Sequence, residues 1–364
     1  MPGATHFHHP ARGFLLRALA AGSTVVLTTP SWAALPAGYV YVSPMPGARY
    51  VSPHNNVVVR GTSYLYRGTL DPGTVSVVGA SSGEHRGALT LAEDGQALIF
   101  VPDESFHLGE RVQVTLASGL QMMSGERLPP LSFDFFVGTV DPRLQGRPRR
   151  EIDADDARAK QRLETPANVT PVAVALDTLP ASYPPILVIR SNNPEPGHLF
   201  MTPNPPGQPI AGNLVIMDNI GQPLFYRRMP QRTTDFNKHD DGRLSFFHDA
   251  TLRYYLLDGT YTVVDSFETG NGYLTDNHEF QLLSNGHALM MAYDPQPVRM
   301  DTVIAGGDSN AVVTGLIIQE VNANKVVVFQ WRSWDHMSIL DVNSCNEDLL
   351  SENIDYVHGN SIER

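Results

Sequence analysis

The feature that most constrains this chain is a beat of short apolar runs and Asp/Asn-Gly turns in its second half. Leu214-Val215-Ile216-Met217-Asp218 precedes Gly221, and Tyr254-Tyr255-Leu256-Leu257-Asp258 precedes Gly259, an offset of 40 residues between the two aspartates. Asp241-Gly242 recurs as Asn285-Gly286 after 44 residues. A third pass runs from Leu316-Ile317-Ile318-Gln319-Glu320 to Val326 through Trp331. Glu320 stands 62 residues after Asp258, and a Gly- and Asp-containing stretch from Asp294 to Val313 is expected to be an insertion. Periods of about 40–50 residues holding four short strands are the pattern of a β-propeller. A series of sandwiches or a β-helix explains the strand-turn-strand beat less well. Residues 184–364 are therefore expected to form a partial β-propeller in an all-β chain.

The first half reads differently. Val57-Val58-Val59-Arg60, Val75-Ser76-Val77-Val78, Ala97 to Val101, Val112 to Leu116 and Phe133 to Val137 are strand candidates. Asp71-Pro72-Gly73, Ser82-Gly83, Asp94-Gly95 and Leu108-Gly109-Glu110 supply turns between them. Short strands at this density over residues 39–138 predict an antiparallel sandwich. Pro102-Asp103-Glu104-Ser105-Phe106, then Leu108-Gly109-Glu110 and a Val-rich strand, resembles bacterial immunoglobulin-like domains. No catalytic grouping stands out there, so a spacer or docking role is expected. Residues 139–183 carry Arg143, Arg147, Arg149 and Arg150 followed by Glu151, Asp153, Asp155 and Asp156, which reads as a solvated linker. Asn168-Val169-Thr170 matches a glycosylation acceptor.

Residues 1–34 have the layout of an export signal: Arg12 and Arg17, an apolar stretch from Ala18 to Leu27, and small residues around Ser31-Trp32-Ala33-Ala34. His6, His8 and His9 fall inside that segment and carry no functional weight. The stretch is too short to stay in a bilayer, so a periplasmic or secreted protein without a membrane span is expected. Cys345 is the single cysteine, so no internal disulfide can form and packing must supply stability. The net charge of −12 argues against a nucleic-acid partner.

Two segments carry a histidine among polar residues: Asp276-Asn277-His278-Glu279-Phe280 and Asp355-Tyr356-Val357-His358-Gly359-Asn360-Ser361-Ile362. In a propeller, residues at equivalent places of successive repeats converge on one channel. Phe236, after Asp235, holds that place in the earlier unit without an imidazole. Two such imidazoles suit oxyanion binding, acid–base work or ligation, or they tie neighbouring blades together. Metal binding is the weakest reading, and neither a metal nor a cofactor is expected. His287 after its Asn-Gly turn is expected at the surface. His239, His248 and His336 are expected to be structural or solvated, and nothing in the spacing of Arg253, Arg299 and Arg332 brings them to the channel.

Residues 184–364 are similar to the bacterial aryl-sulfate sulfotransferases, which are six-bladed propellers. The matching stretches are Pro196-Gly197-His198-Leu199-Phe200, Leu214 to Gly221, Asp235-Phe236, Asp276-Asn277-His278-Glu279, Gly315 to Trp331, and most specifically the His-x-Asn-Ser-Ile core at His358 to Ile362. The resemblance implies cofactor-independent sulfuryl transfer from an aryl sulfate to a phenol through a sulfated histidine. His278 and His358 would then be the catalytic residues that hold the sulfate oxygens. Asn360 and Tyr356 are the candidate substrate-binding residues, Tyr356 as a phenol-binding wall, although an aromatic there also suits a core. The family's catalytic Arg and nucleophilic His lie beyond the last motif, and neither has a counterpart before Arg364. Little or no turnover by this chain alone is therefore expected. The rival function is a non-catalytic extracellular binding module whose exposed propeller edges pair with a second copy; a metal-dependent propeller hydrolase or lactonase lacks its carboxylate set here.

Overall fold

The computed structural model describes residues 35–145, 179–181, 183–203, 212–342 and 347–363. The export segment, most of the linker, Asn168-Val169-Thr170 and Cys345 lie outside them. The fold is all-β, built from several antiparallel sheets. Among the described residues no helix is long and apolar enough to cross a membrane.

The first region is two facing four-stranded sheets. One runs in the order β1 (Tyr39–Ser43), β2 (Val57–Gly61), β6 (Ala97–Pro102), β5 (Gly87–Leu91). The other is β4 (Gly83–Glu84), β3 (Val75–Gly79), β7 (Arg111–Leu116), β8 (Leu131–Phe136). Val51, Val77, Val112, Val114, Leu116 and Phe135 are wholly buried in the core between them. Strand β7 alternates as its sequence does, with Arg111, Gln113 and Thr115 outside and Val112, Val114 and Leu116 inside. Strands β2 and β6 do not alternate. Val57, Val58 and Val59 are all buried, as are Ala97, Leu98, Ile99 and Phe100, because this sheet is covered on both faces.

Its second cover comes from the other half of the chain. There, three sheets follow one another. The first is β11 (Pro223–Arg228), β10 (Asn213–Asp218), β9 (His198–Met201). The second is β12 (Thr233–Lys238), β13 (Leu244–His248), β14 (Arg253–Leu257), β15 (Val263–Phe267). The third is β16 (Thr275–Leu282), β17 (Ala288–Val298), β18 (Ala311–Val321), β19 (Val327–Arg332), with β20 (Asn353–Asp355) added parallel to β18. The sequence rhythm lands on equivalent turns. Asp218 Oδ1 accepts from the amides of Ile220 and Gln222, and Asp258 Oδ1 from those of Thr260 and Thr262. Asp241 and Asn285 cap the first-to-second strand turns in the same way. The stretch from Asp294 to Val313, expected as an insertion, is a loop whose two ends are strand. β17 and β18 stay paired from Ala288↔Val321 out to Val298↔Ala311, and only the residues between them form the loop.

The sandwich of the first region is no detached spacer. Its Val58, Ala97 and Ile99 pack with Val326 and Val328. The Tyr41 hydroxyl accepts from the Gln330 amide (2.8 Å) and donates to the Gln330 carbonyl (2.9 Å), closing the open edge of β19. Asn56 Nδ2 donates to the Val327 carbonyl, and Gln330 Nε2 to Asn55 Oδ1. Arg332, about 1% exposed, pairs with Asp335 and donates to the carbonyls of Arg49 and Tyr50. A junction this rich in buried polar groups hydrogen-bonded to one another fixes one arrangement.

Candidate functional site

The first strands of the second and third sheets, β12 and β16, lie side by side, and each breaks its ladder at the same place. In β12 the pairing jumps from Thr234↔Phe247 to Asn237↔Ser245, leaving Asp235 and Phe236 opposite one residue. In β16 it jumps from Thr275↔Ala292 to Phe280↔Met290, so Asp276-Asn277-His278-Glu279 bows out opposite Met291 alone. Such bulges re-aim side chains. Asp276 holds the bow: its Oδ1 accepts from the His278 amide (3.1 Å) and from His278 Nδ1 (2.6 Å).

His358 reaches the same place from the other end of the region. Asp355 closes β20, paired with Thr314, and its Oδ2 lies 2.6 Å from His358 Nδ1. The following segment runs back beside β16, where Gln281 Nε2 donates to the Ile362 carbonyl. The imidazoles of His278 and His358 meet edge to face, with ring centroids 6.0 Å apart. Tyr293, on β17, stacks on the His358 ring at 5.6 Å and donates its hydroxyl to the Gly359 carbonyl (2.8 Å). Gly359 is packed so closely that a Cβ would stand 2.7 Å from Leu316 Cδ2 and 3.2 Å from Met291 Sδ.

In each Asp–His pair the carboxylate accepts a hydrogen bond from Nδ1–H, which leaves the Nε2 lone pair directed away from its carboxylate. Both histidines are substantially exposed, at 41% and 52% of their side chains, so a solute reaches them. Near His278, the half-buried Asp235 carboxyl is pushed up to about 6, first by burial and then by the charge of Glu279; the Tyr254 hydroxyl, Asn237 and the His278 imidazole oppose the rise. Asp235 has φ +48°, and the Tyr254 hydroxyl is buried beside it. Burial, then Asp276 and Asp355, push the Tyr293 hydroxyl up to about 12. It is a hydrogen-bond donor across the neutral range.

Of the four site residues expected from sequence, the structure brings His278 and His358 together, with the exposed Asn360 two residues further on. Tyr356 is elsewhere. It is buried, its ring lies against Trp334, and its hydroxyl donates to Ser333 Oγ at 2.9 Å, so it belongs to the core beneath the β17–β18 extension. The aromatic beside the imidazoles is Tyr293 instead. Asp276 and Asp355 were visible at i−2 and i−3 of the two histidines; Tyr293 and Asp235 gave no such signal.

The remaining candidates have other duties. His287 is buried, not at the surface, with Nδ1 2.7 Å from Glu320 Oε1 and Nε2 3.8 Å from Glu93 Oε2. His248 is buried against Thr251, and His336 stacks on Trp331. Arg253 pairs with Glu268, Arg299 with Asp301, and Arg332 with Asp335. Among the described residues no group of three or more His, Cys, Asp or Glu is arranged to hold a metal ion.

No family model matches the chain, and no curated protein matches it. Solved structures match weakly. CopC from Methylosinus trichosporium OB3b is 14% identical over 28% of this chain and 91% of its own, with a TM-score of 0.21. An L,D-transpeptidase from Mycobacterium smegmatis is 17% identical over 29% of this chain and 41% of its own, with a TM-score of 0.21. Domains 1–6 of the surface-layer protein SbsC are 10% identical over 78% of this chain and 45% of their own, with a TM-score of 0.23. The matches span less than half of the transpeptidase and surface-layer chains. Likeness at these scores assigns neither a fold family nor a function.

Proposed function

We propose that the paired imidazoles form the sulfate-holding half of a sulfuryl-transfer site in an exported sulfotransferase of the aryl-sulfate type, with the three consecutive sheets as blades of a propeller. The observation that carries this reading is the meeting of His278 and His358, eighty positions apart in sequence, with ring centroids 6.0 Å apart and a carboxylate behind each. A transferring sulfuryl group keeps its charge on peripheral oxygens, and donors fixed in advance around those oxygens lower the barrier. With Nδ1 committed to a carboxylate, Nε2 accepts as the neutral ring and donates once a second proton is bound. One imidazole in each state suits a site that must grip an oxyanion and pass a proton.

The surroundings set a sign. Asp276 and Asp355 offset the charge their own imidazoles gain, while Asp235 and Glu279 are left to repel an anion. Acid pH, through the raised Asp235, removes one repelling charge. An aryl sulfate should therefore bind more tightly as the pH falls. In this reading Tyr293 and Asn360 would meet the aryl group and the sulfate oxygens.

Calorimetric titration with nitrophenyl sulfate tests the reading. Saturable binding that weakens about tenfold or more in both His278→Gln and His358→Gln supports it. Equal affinity in both variants would sink it. A non-catalytic binding module is the second reading, favoured by one observation: Leu187 and Ile189 stand 82% and 91% exposed ahead of the three-stranded sheet.

A further inference from the structure

A second cluster, sharing no residue with the imidazole pair, sits where the two halves of the chain meet. Three loops of the sandwich supply it: His54 between β1 and β2, Ser105 after β6, and Asp141 after β8. Ser105 Oγ lies 2.6 Å from His54 Nδ1, and His54 Nε2 lies 2.9 Å from Asp141 Oδ2. Serine, imidazole and carboxylate thus form an unbroken row.

The proton positions follow from the partners. Hydrogen bonds from Arg143 and His54 outweigh burial and hold the Asp141 carboxyl below its ordinary value, so it is ionised and can only accept. His54 Nε2 must then carry the ring proton and donate it to Asp141. That leaves the Nδ1 lone pair for the Ser105 hydroxyl, the tautomer a general base needs. Burial holds His54 below the ordinary imidazole value against the pull of Asp141, and Arg143 adds to the lowering. The ring is therefore neutral and able to take a proton at neutral pH.

The row is held rigidly. The His54 amide donates to Ser52 Oγ, which donates to the Asn271 carbonyl of the other half. Gly272 lies so close to the ring that a Cβ there would stand 2.5 Å from His54 Cδ2, and its φ of +81° also suits glycine. Asp141 caps the turn at Pro142–Leu144 by accepting from the Arg143 amide, and the Arg143 guanidinium grips both of its oxygens. His54 and Asp141 are 13% and 12% exposed at their side chains, yet Ser105 is open to solvent. A shielded base and orienter behind an accessible hydroxyl is the arrangement of an activated nucleophile.

We propose that Ser105, His54 and Asp141 form a serine-nucleophile relay that reacts with small activated acyl or phosphonyl electrophiles. With an aryl ester, Ser105 Oγ bonds to the acyl carbon, the hydroxyl proton passes to His54 Nδ1, and as the C–O bond to the phenolate breaks that proton is handed to the phenolate, which leaves as the phenol. Water then attacks the acyl-serine, giving a proton to the freed Nδ1, and the acyl–Oγ bond breaks as Ser105 takes that proton back and the carboxylic acid leaves. With a fluorophosphonate, the Oγ–P bond forms, the P–F bond breaks and fluoride departs, leaving a stable adduct.

The test is labelling of the full chain with a small fluorophosphonate, read by intact mass and peptide mapping. The expected result is a single phosphonyl group on Ser105, none on Ser105→Ala, and labelling slowed about tenfold or more in Asp141→Asn. Ser105 is exposed, so its alanine variant keeps the fold, and urea-unfolded chain should lose the reaction. An unlabelled Ser105, equal labelling of folded and unfolded chain, or an Asp141→Asn variant reacting at the wild-type rate would each overturn the proposal.

Discussion

The imidazoles of His278 and His358 meet edge to face at 6.0 Å although one rides a bulged strand and the other follows a strand added parallel to β18. Their carboxylate partners, Asp276 and Asp355, determine which nitrogen of each ring is open. Asp276→Asn and Asp355→Asn should release that choice. The expected outcome is a mixture of tautomers at the affected ring only, read from imidazole nitrogen shifts in long-range proton–nitrogen spectra. Unchanged tautomers in both variants would show that the carboxylates do not orient the rings.

The second prediction concerns Gly359. A methyl group there meets Leu316 and Met291, both fixed in a packed sheet, so the loop must move away. Gly359→Ala should break the Tyr293 hydroxyl bond to that carbonyl and separate the two imidazoles. Loss of the cross-ring nuclear Overhauser contact between His278 and His358, with a stability loss of about 1–3 kcal/mol, is expected.

Asp235 supplies a pH signature. Its carboxyl is raised from 3.8 to about 6, chiefly by burial, so the folded state keeps this proton longer than the unfolded one. Stability from this group is therefore full below the unfolded value and declines as the pH rises through about 6. Asp235→Asn removes the cost of the charge, and asparagine tolerates the φ of +48°. The variant should be more stable by about 1–3 kcal/mol above pH 6 and equal to wild type near pH 4, as urea midpoints would show.

Much of the architecture was legible in the sequence. The 40- and 44-residue offsets marked equivalent Asp- and Asn-capped turns because a side chain that caps a tight turn is dictated locally. The docking of the sandwich was also written there, in the unbroken Val57-Val58-Val59 and Ala97 to Val101 runs beside the alternating Val112 to Leu116. A strand with both faces buried has no reason to alternate. The placing of Tyr356 was not legible, since the β17–β18 extension that buries it reads as a polar insertion. Tyr293 was equally hidden: its pairing with His358 depends on the bow in β16 and the path of the final segment.

The junction gives the fourth prediction. Tyr41 bridges the amide and carbonyl of Gln330 at an otherwise open strand edge. Tyr41→Phe keeps the ring against Phe329 but leaves both backbone groups unpaired in a buried place. A loss of about 1–3 kcal/mol in urea unfolding is expected, and a change under about 0.5 kcal/mol would mean that water reaches this edge.

Both imidazoles should be followed while nitrophenyl sulfate is added to the full chain. The ring resonances of His278 and His358 are expected to move together, with one dissociation constant that tightens toward acid pH. His278→Gln should silence the response of His358. Rings that stay still at saturating ligand would contradict the sulfuryl-transfer reading, as would a His278→Gln/His358→Gln double variant that binds as tightly as wild type.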